Sequence, residues 1–264
     1  MSETVDGRPV SALVLAGARA RGDPLCIAEG VESKALIGIL GTPMLARVLQ
    51  ALSASKCISP PAHVSGLGPA LLAQASAGIP AKPAVSVSGG PAASLMGALS
   101  ADIVLPVLVT TCDHALLTPD MVDHFVVHAQ RSGNDLTIAL AERDTIQSKY
   151  PETRRTYLQF GGMPLSGCNL FYVATPDALK VIDFWKSAEQ DRKRPWRIAW
   201  RFGPLTALRI LVGRPGVHRV FALLSARMKA RIGVVLMPFA EAAIDVDSSG
   251  DLALVRGILS KAQA

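Results

Sequence analysis

Short apolar runs alternate with amphipathic stretches along the first 140 residues, and that alternation sets the expected architecture. Apolar runs of strand length fall at residues 11–16, 62–65, 84–88, 103–110 and 136–141. Between them, helical spacing of apolar positions covers 43–53, 68–77, 91–99 and 119–131. Buried strands separated by helices of this length predict a mostly parallel sheet covered on both faces. Pro43 and Pro119 stand at helix first turns, where a missing N–H costs nothing, with Thr42 and Thr118 as expected N-caps. In such sheets ligands gather beyond the carboxyl ends of strands, where the loops after Ala16 and Thr110 would meet.

The pattern then changes. A polar stretch over 142–162 precedes a strand at 165–174 and a helix from 176 to about 190. Two further helices are expected at 197–212 and 217–232, split by Gly213-Arg214-Pro215-Gly216. A strand at 233–237 returns to the sheet, and a helix at 251–259 closes the chain. The expected fold is α/β, a three-layer α/β/α Rossmann-like arrangement with a mostly parallel mixed sheet. One domain spans 1–264, with a basic helical insertion at about 190–232.

Composition narrows the class. Half of the 264 residues are apolar and mean hydropathy is +0.33, enough for a full core. No run of 18 uninterrupted apolar residues suggests a spanning helix, and the polar opening, 1–8, does not read as a signal peptide. Cys26, Cys57, Cys112 and Cys168 are widely spaced, which points to reduced thiols and a cytoplasmic protein. The net charge of +6 is unevenly spread: residues 186–231 hold twelve Lys/Arg against Glu189 and Asp191, a net +10, leaving −4 elsewhere. Trp185 immediately precedes this segment, and Trp196 and Trp200 lie within it. Packing or homodimerisation through it is preferred over peripheral contact of residues 196–231 with the inner membrane face. Nucleic acid is not expected as a partner, since neither an aromatic platform nor a reading motif is present.

Candidate chemistry begins where the first strand breaks. Leu15-Ala16-Gly17 runs into Arg19, Arg21 and Gly22, a flexible loop with two guanidinium groups that can cradle a polyphosphate and stabilise transition-state charge. Its spacing matches neither a P-loop nor a dinucleotide fingerprint. Lys34 can return over that loop to balance a triphosphate. Asp113 follows the strand at 103–110, well placed for a hard cation such as magnesium. Its neighbours Cys112 and His114 raise zinc, but no second thiolate or imidazole is suitably spaced. In Ala243-Ile244-Asp245-Val246-Asp247, alternation puts both acids on one face, so either can complete the metal site with Asp113. Gly89 and Ser94, at a helix start, are candidates to close over a base or ribose. Arg154 or Arg155 is a candidate for an acceptor phosphate.

The stretch from Leu15-Ala16-Gly17 through Arg21-Gly22-Asp23-Pro24 to Lys34 and Gly41-Thr42-Pro43-Met44 resembles the MobA-like nucleotidyltransferases. The loop departs from the common pattern at Ala18, where a second glycine is usual, and at Ser33, where proline usually precedes the lysine. The resemblance implies a magnesium-dependent enzyme transferring NMP from an NTP, with CTP favoured, to a phosphorylated small molecule such as a sugar or polyol phosphate. Pyrophosphate is the other product. It implies triphosphate binding by the first loop and Lys34, catalytic roles for Arg19, Arg21, Lys34 and Asp113, and magnesium held by Asp113 and Asp245. Ser166-Gly167-Cys168-Asn169 looks like the family's acceptor-side strand, making Gly167 and Asn169 candidate acceptor contacts. The alternatives are a nucleotide-sugar-dependent glycosyltransferase and a non-catalytic nucleotide-binding protein.

Overall fold

Consecutive residues of β1 (Ser11–Leu15) feed two different cores, which is what a strand covered on both faces must do. Ala12 and Val14 join one cluster, with α2 (Met44–Ala54) and α5 (Pro119–Ser132). Leu13 and Leu15 join the other, with α4 (Pro91–Ala101) and α7 (Ala178–Gln190). β6 (Val107–Thr111) does the same, with Leu108 on one side and Val107 and Val109 on the other. The computed structural model describes residues 10–17, 22–85, 90–101, 103–190 and 215–263.

The described strands form one eight-stranded sheet and a small hairpin. β1 lies between β6 and β4 (Ala62–Ser65), and β5 (Ala81–Ala84) follows at one edge, all parallel. β9 (Met163–Val173) runs antiparallel between β6 and β7 (Leu136–Glu142), and β8 (Leu158–Phe160) folds back on it. β10 (Ile232–Leu236) lies parallel to β7 at the other edge. The carboxyl ends of β1, β4, β5, β6, β7 and β10 therefore share one edge of the sheet, and the expected three-layer α/β/α fold is the one observed.

Several local expectations are corrected. Thr118 caps α5, its hydroxyl accepting from Met121 N–H at 3.3 Å. Thr42 caps nothing: Thr42–Pro43 is β3, paired with β2 (Gly38–Ile39) in the hairpin. β5 ends at Ala84, before most of the expected 84–88 run, and residues 86–89 lie outside those described. Residues 103–106 precede β6 rather than belonging to it, and β6 extends to Thr111. The polar stretch after β7 holds α6 (Arg143–Lys149) as well as β8. In the basic region, the helix expected at 197–212 lies outside the described residues. The next one, α8 (Val217–Met228), stops at Lys229 in the left-handed region, and Ile232 already belongs to β10. Among the described residues no helix is long and apolar enough to cross a membrane.

A third core lies beyond the shared edge. There α1 (Pro24–Glu29), the 3₁₀ turn Lys34–Leu36, the hairpin and α9 (Ser249–Gln263) converge. Leu25, Ile37, Ile39 and Met44 pack against Ile244, Val246, Leu252 and Val255. Arg256 on α9 clasps Glu29 with both terminal nitrogens and donates to the Gly38 carbonyl at 2.8 Å. That cluster brings the N-terminal lysine and the C-terminal aspartates together.

Candidate active site

At the carboxyl edge, Cys112 N–H donates to Leu15 C=O at 3.0 Å, extending the β1–β6 ladder by one bond past the strands. Asp113 is thereby placed beside the start of the first loop. Its carbonyl accepts from Val246 N–H at 3.0 Å, which fastens the distant Asp245-Val246-Asp247 segment to the end of β6. Ile244 and Val246 are fully buried, so the alternation expected from sequence holds and the two aspartates face the cleft side.

Lys34 is the hub. Its side chain leaves a short 3₁₀ turn capped by the Ser33 hydroxyl, which accepts from Ala35 N–H. Nζ donates to Asp247 Oδ1 at 2.6 Å and to Val246 C=O at 3.0 Å. It also lies 3.6 Å from Asp113 Oδ2 and 3.7 Å from Asp23 Oδ2. Burial alone would weaken this ammonium, but the Asp247 hydrogen bond and the surrounding carboxylates hold its pKa above the ordinary lysine value. Asp23 has a second task, capping α1 by accepting from Leu25 N–H at 2.9 Å.

Asp113 Oδ1 accepts from the Thr111 hydroxyl at 2.5 Å. Desolvation raises its pKa most strongly; the Thr111 bond and Lys34 oppose the rise, and Asp245 and Asp247 add to it. Its flanking residues do not form a zinc site. Burial pushes the Cys112 thiol far above its usual range, with Asp113 adding to the effect, so it stays protonated. His114 is buried and held neutral, its pKa lowered to about 4 chiefly by desolvation.

Asn169 reaches the same place through a local irregularity. Between Ile138 and Leu140 of β7, the β9 partner jumps from Phe171 to Gly167, so β9 bulges. Asn169 occupies that bulge at φ +49°, a region asparagine tolerates better than most side chains. The bulge aims its Nδ2 at Asp245 Oδ2, 3.0 Å away. Gly167 is exposed two residues earlier. Arg155 donates to Asp245 Oδ1, to the Asp245 carbonyl at 3.0 Å and to Asp251 Oδ1 at 3.1 Å. Both terminal nitrogens of Arg155 are thus engaged by protein, whereas Arg154 is exposed.

Of the sequence candidates, Leu15, Ala16, Gly17, Gly22, Lys34, Asp113, Asp245 and Asn169 lie along this edge or in this network. Ser94 is half-buried on α4, beyond the carboxyl end of β5, and donates its N–H to Gly90 C=O at 3.0 Å. Arg19, Arg21 and Gly89 lie outside the described residues. Sequence reading missed three contributors: Asp23, Asp251 and Gly66. A Cβ on Gly66 (φ +100°) would fall 2.4 Å from Gly17 N, so β4 and the first loop touch backbone to backbone. A glycine directly after an apolar run was the signal available for it.

A cation ringed by carboxylates at the carboxyl edge of a Rossmann-like sheet stands where α/β transferases that handle phosphates bind their ligands. The chain belongs to the MobA-like NTP transferase family, whose domain model matches residues 12–192. It is a nucleotidyltransferase, passing NMP from an NTP to a phosphorylated acceptor and releasing pyrophosphate. Among solved structures, a hypothetical transferase from Thermus thermophilus is 28% identical with a TM-score of 0.76, covering 93% of this chain and 100% of its own. A CMP:2-keto-3-deoxy-manno-octonic acid synthetase complexed with CTP shares the fold at 12% identity and TM-score 0.59, covering 97% and 100%. A 4-diphosphocytidyl-2C-methyl-D-erythritol synthase from Anaerococcus prevotii does so at 11% and 0.55, covering 97% and 100%. No functionally curated protein matches the sequence.

Proposed function

We propose that the chain transfers a nucleoside monophosphate, from CTP as the favoured donor, to a phosphorylated small molecule such as a sugar or polyol phosphate. The observation that carries this reading is the charge balance of the network around Lys34 and Arg155. Asp23, Asp113, Asp245, Asp247 and Asp251 are set against those two cations, a net −3 among the described members. Such an excess, partly desolvated, suits a divalent ion. Among the described residues no three His, Cys, Asp or Glu side chains form a metal cage. Magnesium fits that donor set, because it is commonly held by one or two carboxylates together with substrate phosphates. Asp113 and Asp245 would hold it, and when bound it neutralises and orients phosphate oxygens.

The chain's own residues do the rest. Lys34, with Arg19 and Arg21 of the first loop, binds the triphosphate and offsets charge on the departing pyrophosphate. A phosphate oxygen of the acceptor forms the new bond to the α-phosphorus as the bond to the bridging oxygen breaks. No general base is needed, because that oxygen is already anionic at neutral pH. The exposed Arg154 is our choice for the acceptor phosphate, with Gly167 and Asn169 along the acceptor side and Gly89 and Ser94 toward the base. We read residues from about 190 to 231 as an insertion used for packing or dimerisation before membrane contact.

The test is a panel of four nucleoside triphosphates against sugar, polyol and amino-alcohol phosphates, with magnesium and pyrophosphate detection. Release of pyrophosphate with one donor–acceptor pair is expected. Release of a nucleoside diphosphate from a nucleotide sugar would establish the glycosyltransferase reading instead.

A further inference from the structure

Asp245 lies on irregular backbone between the 3₁₀ turn Ala240–Ala243 and α9, with no strand ladder to fix it. Beside the Val246–Asp113 backbone bond and the Asn169 contact, two polar anchors from the segment following β7 do that work. Glu241 accepts from Lys149 and, at 2.5 Å, from the Tyr150 hydroxyl. Four residues on, Arg155 grips Asp245 at both side chain and backbone. Arg155 is itself held from behind. Asp251 Oδ1 accepts from its Nη2, while Asp251 Oδ2 accepts from Ser248 N–H at 3.0 Å and the Ser248 hydroxyl accepts from Asp251 N–H at 3.2 Å. That reciprocal pair is a capping box at the start of α9, so the orientation of Asp251 is set by the helix terminus. The Arg155 side chain is only 9% exposed, which shields its pairs from solvent screening.

We infer that Arg155 and Asp251 are positioning residues of nucleotidyl transfer: the capping box of α9 locks Asp251, Asp251 aims Arg155, and Arg155 holds Asp245 toward Asp113. This rests on the transferase reading of the cleft. It changes the role of Arg155 from a candidate phosphate receptor to a strut, because an incoming phosphate would have to displace two aspartates already bonded to it. A forked guanidinium suits the task, reaching side chain and backbone of one residue and the carboxylate of another at once.

The experiment measures Mn²⁺ binding by electron paramagnetic resonance in the presence of CTP, and of the other three triphosphates, alongside steady-state kinetics on the active donor–acceptor pair. Arg155→Met is expected to weaken Mn²⁺ binding and lower kcat by about tenfold or more, with acceptor KM unchanged. Arg155→Lys should recover part of both, and Asp251→Ala added to Arg155→Met should cause no further loss. If Arg155→Met does not fold, Asp251→Asn carries the same comparison, with a smaller loss expected. Wild-type Mn²⁺ affinity and kcat in a folded variant, or a change confined to acceptor KM, would overturn the proposal. Failure of the unaltered protein to retain Mn²⁺ with any triphosphate would instead remove the transferase reading beneath it.

Discussion

Asp113 and Lys34 behave as opposites under substitution. Folding raises the Asp113 pKa, so at neutral pH the fold disfavours its charged form, and removing that charge should not destabilise the protein. Asp113→Asn is therefore expected to melt at or above the wild-type temperature while kcat falls by ~10²–10³-fold, the scale of losing a transition-state electrostatic contact. Calorimetry and pyrophosphate release check the two halves separately. For Lys34→Met the loss is in donor binding: a charged contact of ~1.5–3 kcal/mol corresponds to roughly a 10- to 100-fold rise in NTP KM. Unchanged KM would detach Lys34 from the triphosphate. Both residues were legible in the sequence, because a carboxylate just past an apolar run and a lysine shortly after a glycine loop are local patterns. Asp251 was not, since its meaning depends on Arg155, 96 residues away.

Strand ends and helix starts decide how well those residues meet. Gly66 follows β4, and its backbone touches Gly17 with no room for a methyl group. Gly66→Ala should force β4 and the first loop apart, raising NTP KM more than it lowers stability; donor kinetics and melting temperature measured together test this. A mostly parallel sheet covered on both faces was readable from the run of apolar strands and intervening helices, and so was the opposed facing of Ile244 and Val246 against Asp245 and Asp247; the strand order was not. The cap at Thr42 was misread because Thr-Pro before a helix also suits a hairpin edge, and pairing with Gly38–Ile39 is a nonlocal fact. The β9 bulge was equally hidden. Nothing near Gly167-Cys168-Asn169 states that β7 will pair in two registers on either side of it.

Across the whole fold, the half beyond β9 is fastened by Asp135. Its carboxylate accepts from Arg231 N–H at 2.7 Å, from the Arg231 guanidinium and from Thr175, joining the start of β10 and the end of β9 to β7. The Arg231 side-chain bond, opposed by desolvation and aided by backbone and Thr175 bonds, lowers the Asp135 pKa to about 2. A carboxyl held below its unfolded value stabilises the fold above that value, and the contribution fades as pH falls toward 2. Asp135→Asn should thus melt lower than wild type at neutral pH, with the gap closing between about pH 4 and pH 2. A gap independent of pH in acid titrations would show that the ion pair carries none of the stability. Read alone, the polypeptide settled its layers, its apolar strands and most of the charged residues facing the cleft, since these follow from periodicity and from chemistry carried within a few positions. Folding settled which acid pairs with which base, the bulge that turns Asn169, and the strut behind Asp245. Those depend on segments dozens to hundreds of residues apart being brought within hydrogen-bond reach, which no local pattern encodes.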